Sequence, residues 1–287
     1  MLDVICIGRS SVDLYGDQVN GKLEDMSSFS KYVGGSPTNI SIGCSRLGLK
    51  SALITKVGNE HMGRFIIEQL RFEGVDVSNI KTDKDRLTAL VILGIRSQDQ
   101  FPLIFFRENC ADMALCEDDI EEDFIKNSKS VLVTGTHFST KTVSDASFKA
   151  MKIAKKFNKE VILDIDYRPN LWEIGNHNEG ESRFKENLSV TKHIQNILSY
   201  CTLIVGTEEE FHIAGGINNT IKALKNVRSL TKAVLVCKRG PYGASLFENK
   251  IKSNLEKGIT GKNFKIDVFN VLGAGDGFMA GLLRGWL

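Results

Sequence analysis

The chain has 287 residues, of which 42% are hydrophobic and 25% charged, and its formal net charge is +2. This composition is typical of a globular protein with an ample core, and so mild a charge argues against a nucleic-acid partner. No apolar run reaches the length of a membrane-spanning helix and no signal-type leader opens the chain, so we expect a cytoplasmic protein without a membrane partner.

Short apolar runs alternate with segments of helical periodicity along most of the chain. The apolar runs are residues 4–7, 52–56, 131–134, 161–165, 203–205 and 233–237. The helical segments are residues 38–47, 61–73, 141–157, 184–198, 208–213 and 221–230. Continuous apolar strands separated by helices are typical of a parallel sheet that is covered on both faces. The sequence therefore predicts an α/β fold.

Two segments interrupt this alternation, residues 13–33 and 87–111. The second contains two apolar runs, residues 88–93 and 103–106, on either side of a polar turn at residues 97–100, which predicts a β-hairpin. Together the two segments predict a small sheet at the edge of the main domain. Such a sheet could be a lid that excludes water from a site, or an edge extension that forms dimer contacts.

A group of small and polar residues follows the first predicted strand. Gly8 ends that strand and Asp13 follows it, while Gly34 and Gly35 precede a predicted helix that carries Asn39 in its first turn. Paired glycines let a ligand approach the backbone, and aspartate with asparagine can bind hydroxyl groups. These residues suit a polyol site, although each is also a common turn former or helix cap.

The segment Gly273-Ala274-Gly275-Asp276 opens the last predicted helix. Free backbone N–H groups at the start of a helix favour a phosphate or a developing anion. A carboxylate among them, that of Asp276, could accept a proton from a substrate hydroxyl. The segment therefore indicates a phosphoryl-transfer site, with a plain tight turn as the alternative.

Other common motifs are missing from the sequence. The six cysteines form no C-x-x-C pair and the five histidines show no metal-ligand spacing, so neither a disulfide framework nor a zinc site is predicted. No G-x-G-x-x-G follows the first strand, and no G-x-x-x-x-G-K-[ST] occurs. A dinucleotide-binding fold of the Rossmann type and a P-loop enzyme are therefore not indicated.

In the order and spacing of its motifs, the chain resembles the ribokinase-like carbohydrate kinases over nearly its whole length. The motifs are residues 8–13, 34–39, 56–63, 238–243 and 273–276. The resemblance implies one ribokinase-like α/β/α domain of three layers over residues 1–287, with a mainly parallel sheet and a small β-sheet lid. It also implies ATP and Mg²⁺ as cofactors, leaves open a monovalent cation, and leads us to expect a homodimer.

The resemblance also assigns roles to individual residues. The catalytic base is Asp276, and the anion hole is formed by Gly273, Ala274 and Gly275. The sugar pocket contains Asp13, Gly34, Gly35 and Asn39. The nucleotide site contains Thr207, Lys238, Gly240 and Gly243. Glu210 would organise water around magnesium in an N-x-x-E motif, where Thr207 replaces the asparagine.

Two arginines indicate that the sugar is an acid. Arg168 follows the apolar run at residues 161–165, and Arg107 lies at the end of the predicted hairpin. A guanidinium group binds a carboxylate through two parallel hydrogen bonds, which a neutral sugar cannot exploit. Arg168 could instead pair with Asp164 or Asp166, or contact ATP phosphates. For Arg107 the argument is its similarity to the lid arginines of sugar-acid kinases.

The resemblance extends to one branch of the family. Residues 34–39, 164–172 and 206–210 are similar to those of kinases that act on 5-dehydro-2-deoxygluconate, and also of 2-keto-3-deoxygluconate kinases. We therefore expect ATP-dependent phosphorylation of a primary hydroxyl of a sugar acid. The substrate expected first is 5-dehydro-2-deoxy-D-gluconate, converted to its 6-phosphate in myo-inositol catabolism, with 2-keto-3-deoxygluconate kinase or fructokinase activity as the alternatives.

The chain ends at Leu287, eleven residues after Asp276, where members of the family continue through further helices. We therefore expect a C-terminal end that is truncated relative to the family. Its apolar residues would be partly uncovered, namely Phe278, Leu282, Leu283, Trp286 and Leu287. A sugar-binding module with weak catalysis is the second hypothesis.

Overall fold

The computed structural model describes residues 1–97, 100–174, 185–261 and 263–287. Its strands β1 to β13 are, in chain order, Leu2–Ile7, Ser11–Gly16, Phe29–Gly34, Ser51–Gly58, Ile80–Asp83, Ala89–Leu93, Leu103–Phe106, Ser128–Thr134, Glu160–Asp164, Leu203–Thr207, Val234–Lys238, Ala244–Phe247 and Ile259–Gly261. Its helices α1 to α8 are Ser36–Arg46, His61–Phe72, Glu122–Lys126, Lys141–Lys156, Leu188–Leu198, Glu208–Gly215, Thr220–Leu230 and Ala274–Trp286. Each of the predicted apolar runs overlaps a strand, and each predicted helical segment overlaps a helix.

Nine of these strands form one sheet in the order β13-β12-β11-β10-β9-β8-β1-β4-β5. Neighbours from β5 to β11 are parallel, whereas β12 and β13 are antiparallel at one edge. Successive residues of a strand point to opposite faces, and in β1 both sets are apolar. Ile5 and Ile7 pack into one hydrophobic cluster, and Val4 and Cys6 pack into another. The mainly parallel sheet that the sequence predicts is confirmed.

Helices cover both faces of this sheet. On one face, helices α4 to α7 contribute buried residues such as Ile194 and Phe211. On the other face, α1, α2 and α8 contribute buried residues such as Ile66. A Cβ atom at Gly43 of α1 would lie 2.7 Å from the Cβ of Ala280 in α8, so glycine allows these two helices to pack closely. The three-layer α/β/α architecture is thereby confirmed.

A second sheet has the order β3-β2-β6-β7. Strands β6 and β7 pair antiparallel, as the predicted hairpin requires. Two residues of its predicted turn, 98 and 99, lie outside the described residues. Val12 and Leu14 of β2, with Leu90 of β6, pack against the same core cluster as α2. The alternate residues of β2 and β6 face the opposite way, toward the cleft described below.

One expectation about a helix end needs correction. The helix predicted from residue 184 begins at Leu188, because Asn187 caps it by accepting hydrogen bonds from the N–H groups of Ser189 and Val190. Residue 184 itself lies outside the described residues.

The apolar residues near the C-terminus are largely as expected. Four of the five are half-buried and so partly uncovered: Phe278, Leu282, Trp286, Leu287. Leu283 differs, because it is fully buried against α1 and its neighbours. The segment that leads into α8 adds further exposed apolar side chains, with exposed fractions of 85% for Phe264, 74% for Ile266 and 69% for Phe269.

The cysteines and the helices are each the subject of a sequence-based prediction, about disulfides and about membrane spans. The six cysteines, all within the described residues, are free, and four of them are buried. Across the described part of the chain, no helix combines the length and the apolar character needed to cross a bilayer.

Candidate active site

The candidate site lies at the carboxyl ends of the parallel strands. The chain leaves β1 toward β4 on one side, and returns to β8 on the other side. This reversal of strand order opens a crevice, where ligands of open α/β sheets usually bind. Charged residues follow the strand ends at this edge, with Arg9 after β1, Asp166 after β9, and Lys238 at the end of β11.

Asp276 lies in the first turn of α8 and both of its carboxylate oxygens are hydrogen-bonded. Ser36 Oγ donates to Oδ1 at 2.8 Å, and Asn39 Nδ2 donates to Oδ2 at 2.9 Å. Burial raises the pKa of Asp276 above its ordinary value, while the hydrogen bond from Asn39 acts in the opposite direction. The result is a fixed, partly buried carboxylate whose proton affinity is higher than that of a free aspartate, as a general base requires.

The turn before Asp276 is formed by Gly273, Ala274 and Gly275. Gly273 is the N-cap of α8 with φ of 72°, a conformation that favours glycine. The N–H of Ala274 donates to the carbonyl of Val271 at 3.2 Å, so this donor already has a partner in the turn. All three residues are exposed. The predicted anion hole is therefore accessible from solvent.

Asp13 faces the same cleft from β2. Ser11 Oγ donates to its Oδ1 at 2.7 Å, and burial raises the pKa of Asp13. A Cβ atom at Gly34 would lie 1.9 Å from that oxygen, and one at Gly35, where φ is 98°, would lie 2.5 Å from the carbonyl oxygen of Arg9. Both glycines are therefore needed for the close approach of β3 to β2 and to the end of β1.

The cleft is lined by Arg9, Asp13, Tyr15, Gly35, Ser36, Asn39, Val91, Leu93, Leu103, Phe105, Arg168, Pro169, Asn170, Leu272, Gly273 and Asp276. The structure thus brings together most of the residues predicted for catalysis and sugar binding. The second sheet supplies an apolar wall, and the ends of the strands and the starts of the helices supply a polar wall.

Four residues of the cleft were not singled out from the sequence: Arg9, Tyr15, Ser36 and Asn170. The only local signals were that Arg9 follows Gly8 and that Ser36 follows the paired glycines.

The two predicted arginines have different surroundings. Arg168 lines the cleft, with its Nε 3.5 Å from Oδ1 of Asp166. Arg107 is only 8% exposed and its Nε lies 2.7 Å from Oδ2 of Asp112. It is not among the described residues that line the cleft, because the chain after β7 turns its side chain toward Asp112. A sugar contact of Arg107 stays a prediction that this geometry does not favour.

Lys238 lies beneath the turn that opens α8. Its Nζ is 3.2 Å from Oδ1 of Asp164 and 3.7 Å from Oε2 of Glu210. A Cβ atom at Gly275 would lie 3.8 Å from this Nζ. Burial acts to lower the pKa of Lys238, but the charges of Asp164 and Glu210 outweigh it and raise the pKa above its ordinary value. The structure therefore places a permanent positive charge beside the predicted anion hole.

The other predicted nucleotide residues form turns. Gly240 and Gly243 have φ of 53° and 79°, and the N–H of Gly243 donates to the carbonyl of Gly240 in the connection from β11 to β12. Thr207 is the N-cap of α6, and its Oγ1 accepts a hydrogen bond from the N–H of Glu210 at 3.2 Å. Nucleotide binding by these residues stays a prediction.

Glu210 has a structural role, and its role at magnesium stays a prediction. Its Oε2 accepts a hydrogen bond from the N–H of Thr207 at 2.7 Å, which completes a capping box, and its Oε1 accepts one from the N–H of Tyr167 at 3.2 Å. The T-x-x-E spacing is a known signature of such a box, so the sequence could have shown this. Within the described ranges, no cluster of three or more metal-ligating side chains occurs.

The fold and the cleft indicate a class of protein, the sugar kinases. The comparison with known families agrees, because residues 1–287 match the pfkB family carbohydrate kinase. The chain belongs to this family, and it is therefore a carbohydrate kinase.

Individual relatives agree with this assignment. The chain is 33% identical to a 5-dehydro-2-deoxygluconokinase of Geobacillus thermodenitrificans, over 99% of this chain and 82% of the relative. It is 32% identical to a protein of the same name from Halalkalibacterium halodurans, over 98% and 81%. An uncharacterized sugar kinase from Pyrococcus horikoshii in complex with ATP has a similar structure, with a TM-score of 0.80, 25% identity, and coverage of 98% and 83%.

Proposed function

We propose that this kinase transfers the γ-phosphoryl group of ATP to the 6-hydroxyl of 5-dehydro-2-deoxy-D-gluconate. The observation that carries the proposal is a single cleft that contains a hydrogen-bonded carboxylate, Asp276, and a guanidinium group, Arg168. The first suits a hydroxyl that must lose a proton, and the second suits a carboxylate. The name shared by relatives at 32–33% identity supports the same substrate.

The proposed mechanism assigns one task to each part of the cleft. Asp276 accepts the proton of the substrate hydroxyl as the oxygen attacks the γ-phosphorus atom in line with the leaving group. The N–H groups of Gly273 and Gly275 and the ammonium of Lys238 stabilise the charge that develops on the transferring group, while the N–H of Ala274 holds the turn. Asp13 and Asn39 orient the sugar hydroxyls, which holds the attacking oxygen in position.

Magnesium fits the chemistry of the donors near Lys238. Mg²⁺ in kinases is usually held by the phosphates of ATP, by water and by only one or two carboxylates. Glu210 and Asp164 are carboxylates beside Lys238, and we propose that Glu210 holds the ion through water. When bound, the ion neutralises charge on the phosphate oxygens. A requirement for a monovalent cation stays a prediction, which a comparison of KCl with tetramethylammonium chloride tests.

The two walls of the cleft also favour a deoxygenated acid. Val91, Leu93 and Leu103 present apolar surface to the cleft, and burying a hydroxyl against such a surface without a partner is unfavourable. A substrate carbon that lacks its hydroxyl fits there better than a fully hydroxylated sugar does. This is a second reason to prefer a deoxy sugar acid to fructose.

We further propose that residues 1–287 act as one kinase domain in which segments 13–33 and 87–111 form a lid. Strands β2, β6 and β7 supply the apolar wall of the cleft, so movement of their sheet would open or close it. In the described part of the chain β3 and β7 are the edge strands of this sheet, and an edge strand can pair with that of a second copy, which supports the predicted homodimer. Sedimentation at micromolar concentration tests the dimer.

The proposal is tested by measuring ATP consumption and direct sugar binding side by side. The sugars are 5-dehydro-2-deoxygluconate, 2-keto-3-deoxygluconate, fructose and ribose, each at saturating ATP and Mg²⁺. We expect the largest kcat/KM with the first. A preference for fructose or ribose would contradict the role of Arg168, and binding without ATP consumption would show a sugar-binding module with weak catalysis.

A further inference from the structure

We propose that Arg9 forms the second half of the carboxylate-binding site and determines the preference for an acidic sugar. This inference rests on the proposed function, because it assigns a further residue to the same sugar-acid site. Arg9 follows β1 directly and lines the cleft together with Arg168. Arg9 lies within the motif at residues 8–13, but the motif by itself does not indicate a carboxylate ligand.

The two arginines meet at one shared carboxylate. Asp166 Oδ2 lies 3.5 Å from Nη2 of Arg9, and its Oδ1 lies 3.5 Å from Nε of Arg168. Thr136 Oγ1 donates a hydrogen bond to the same Oδ2 at 3.1 Å. Asp166 is thus a bridge that holds two guanidinium groups on one wall of the cleft.

These contacts leave Arg9 able to bind a further anion. Strong hydrogen bonds between guanidinium and carboxylate groups are about 2.7–2.9 Å long, so contacts of 3.5 Å are weak. Within the described residues, the buried Nε of Arg9 has no hydrogen-bond partner. In the part of the chain that the structure describes, Arg107 also has one buried nitrogen without a partner, Nη2, but its Nε lies 2.7 Å from Oδ2 of Asp112 and it is not among the residues that line the cleft. Arg9 therefore has donor capacity that the protein does not use.

The backbone around Asp166 fixes this arrangement. Asp166 has φ of 34°, which is uncommon for a residue other than glycine and is found mainly where function needs it. A Cβ atom at Gly135 would lie 2.1 Å from the carbonyl oxygen of Ile165, so the ends of β8 and β9 are in close contact. This contact brings Thr136 to Asp166 and sets the position of the bridge.

The charges of the cleft match a sugar acid along its length. Asp13 and Asp276 form an acidic part and Arg9 and Arg168 form a basic part. The 6-hydroxyl and the carboxylate of a six-carbon sugar acid are at opposite ends of the molecule. With the hydroxyl at Asp276, the carboxylate is best placed between Arg9 and Arg168.

The test compares an acidic and a neutral sugar in wild-type and variant enzyme. Arg9→Gln removes the charge, Arg9→Lys keeps the charge without the two-pronged geometry, and Arg71→Gln is the control, since Arg71 is an exposed arginine on α2. For Arg9→Gln we expect the KM for 5-dehydro-2-deoxygluconate to rise about 10- to 100-fold. We expect kcat to change less than about threefold and the KM for fructose to stay constant, with Arg9→Lys intermediate.

Three outcomes separate this inference from the proposed function. If wild type prefers the acid and Arg9→Gln keeps its KM, the role of Arg9 is wrong and the proposed function stands. If both KM values rise equally, or kcat alone falls, Arg9 has a structural role as a bridge between β1 and β9, which also overturns the inference. If wild type itself shows no preference for the acid, both proposals are wrong.

Discussion

The two sides of the cleft differ in how completely the protein itself builds them. On the sugar side, the carboxylates of Asp13 and Asp276 accept hydrogen bonds from neighbouring side chains, and the paired glycines lie in close contact with β2 and Arg9. On the side proposed for the nucleotide, residues 273–275 are exposed, and the segment before α8 carries exposed Phe264 and Phe269.

This difference indicates how binding energy is divided between the two ligands. A preorganised pocket loses little conformational freedom when its ligand binds. Exposed residues, such as those on the side proposed for the nucleotide, become ordered only when a ligand binds to them. Substitutions on the side proposed for the nucleotide should therefore have little effect on sugar affinity. The rate of phosphoryl transfer should instead depend on a few charged groups that contact both sides of the cleft.

The largest effect is expected from Asp276→Asn. The amide keeps the shape of the side chain but cannot accept a proton, so kcat should fall by at least about 10²-fold. Sugar affinity, measured by calorimetry without ATP, should change little because the pocket remains built. Asp118→Asn, which alters an exposed carboxylate on another surface, is the control. Retained turnover in Asp276→Asn would show that another group is the base.

The second effect concerns Lys238, which links the nucleotide side to the buried strand ends. In Lys238→Met, the buried carboxylate of Asp164 loses its nearest positive charge, and unfolding free energy should fall by about 3–5 kcal/mol. Chemical denaturation measures this loss. The double variant Lys238→Met/Asp164→Asn should recover most of the stability because the buried charge is gone.

Activity distinguishes the two roles of Lys238. If its ammonium stabilises the transferring phosphoryl group, the double variant should stay slow and show a raised KM for ATP with unchanged sugar affinity. Recovery of both stability and kcat would mean that Lys238 only neutralises Asp164.

The parts of the fold that the sequence predicts are those with a strong local pattern. Strands β1, β8 and β9 are apolar on both faces, so their residues form continuous runs. Strands β3 and β13 have mostly or wholly exposed residues and no such run, and the sequence does not mark them. The parallel pairing of β2 with β6 joins segments far apart in the chain, and only the tertiary structure sets its register.

The site divides in the same way. Asp276, Asn39 and the glycines lie in short motifs that can be read directly from the sequence. Arg9 and Asp166 are 157 residues apart, and nothing near either of them in the sequence indicates that they meet. Their proximity follows from the order of β1, β8 and β9 in the sheet. Residues whose role depends on a long-range contact therefore require the fold.

A pair of glycine substitutions tests whether the sugar side is as tightly built as its contacts indicate. Gly35 and Gly48 both have positive φ, of 98° and 84°, but a Cβ atom at Gly48 would have nothing within 4 Å. Gly48→Ala should cost only the backbone strain, about 1–2 kcal/mol of unfolding free energy. Gly35→Ala adds a clash with the carbonyl of Arg9, so it should cost more and also weaken sugar binding. Equal losses of stability, with sugar affinity unchanged in both, would contradict a tightly built sugar side.

The smallest effect is a shift in pH dependence, which tests whether the sugar side tunes the base. Asp276 acts only when ionised, so kcat/KM should fall as pH drops through its pKa, which burial holds above the ordinary value. The hydrogen bond from Asn39 favours the ionised form. Asn39→Ala should therefore raise the pKa of Asp276 further and move the acid limb of kcat/KM to higher pH.

A second variant, Ser36→Ala, makes this prediction specific, because its shift in the acid limb should be smaller than that of Asn39→Ala. Ser36 also donates to Asp276 but lowers its pKa less than Asn39 does, so Ser36→Ala should shift the limb in the same direction by a smaller amount. Ser41→Ala, which removes a buried hydroxyl bonded to Thr38 and not to Asp276, should leave the limb in place. If Asn39→Ala lowers kcat/KM equally at every pH, Asn39 orients the sugar without tuning the base. The sugar side would then affect catalysis only by placing the substrate hydroxyl next to Asp276, and not by changing the pKa of Asp276.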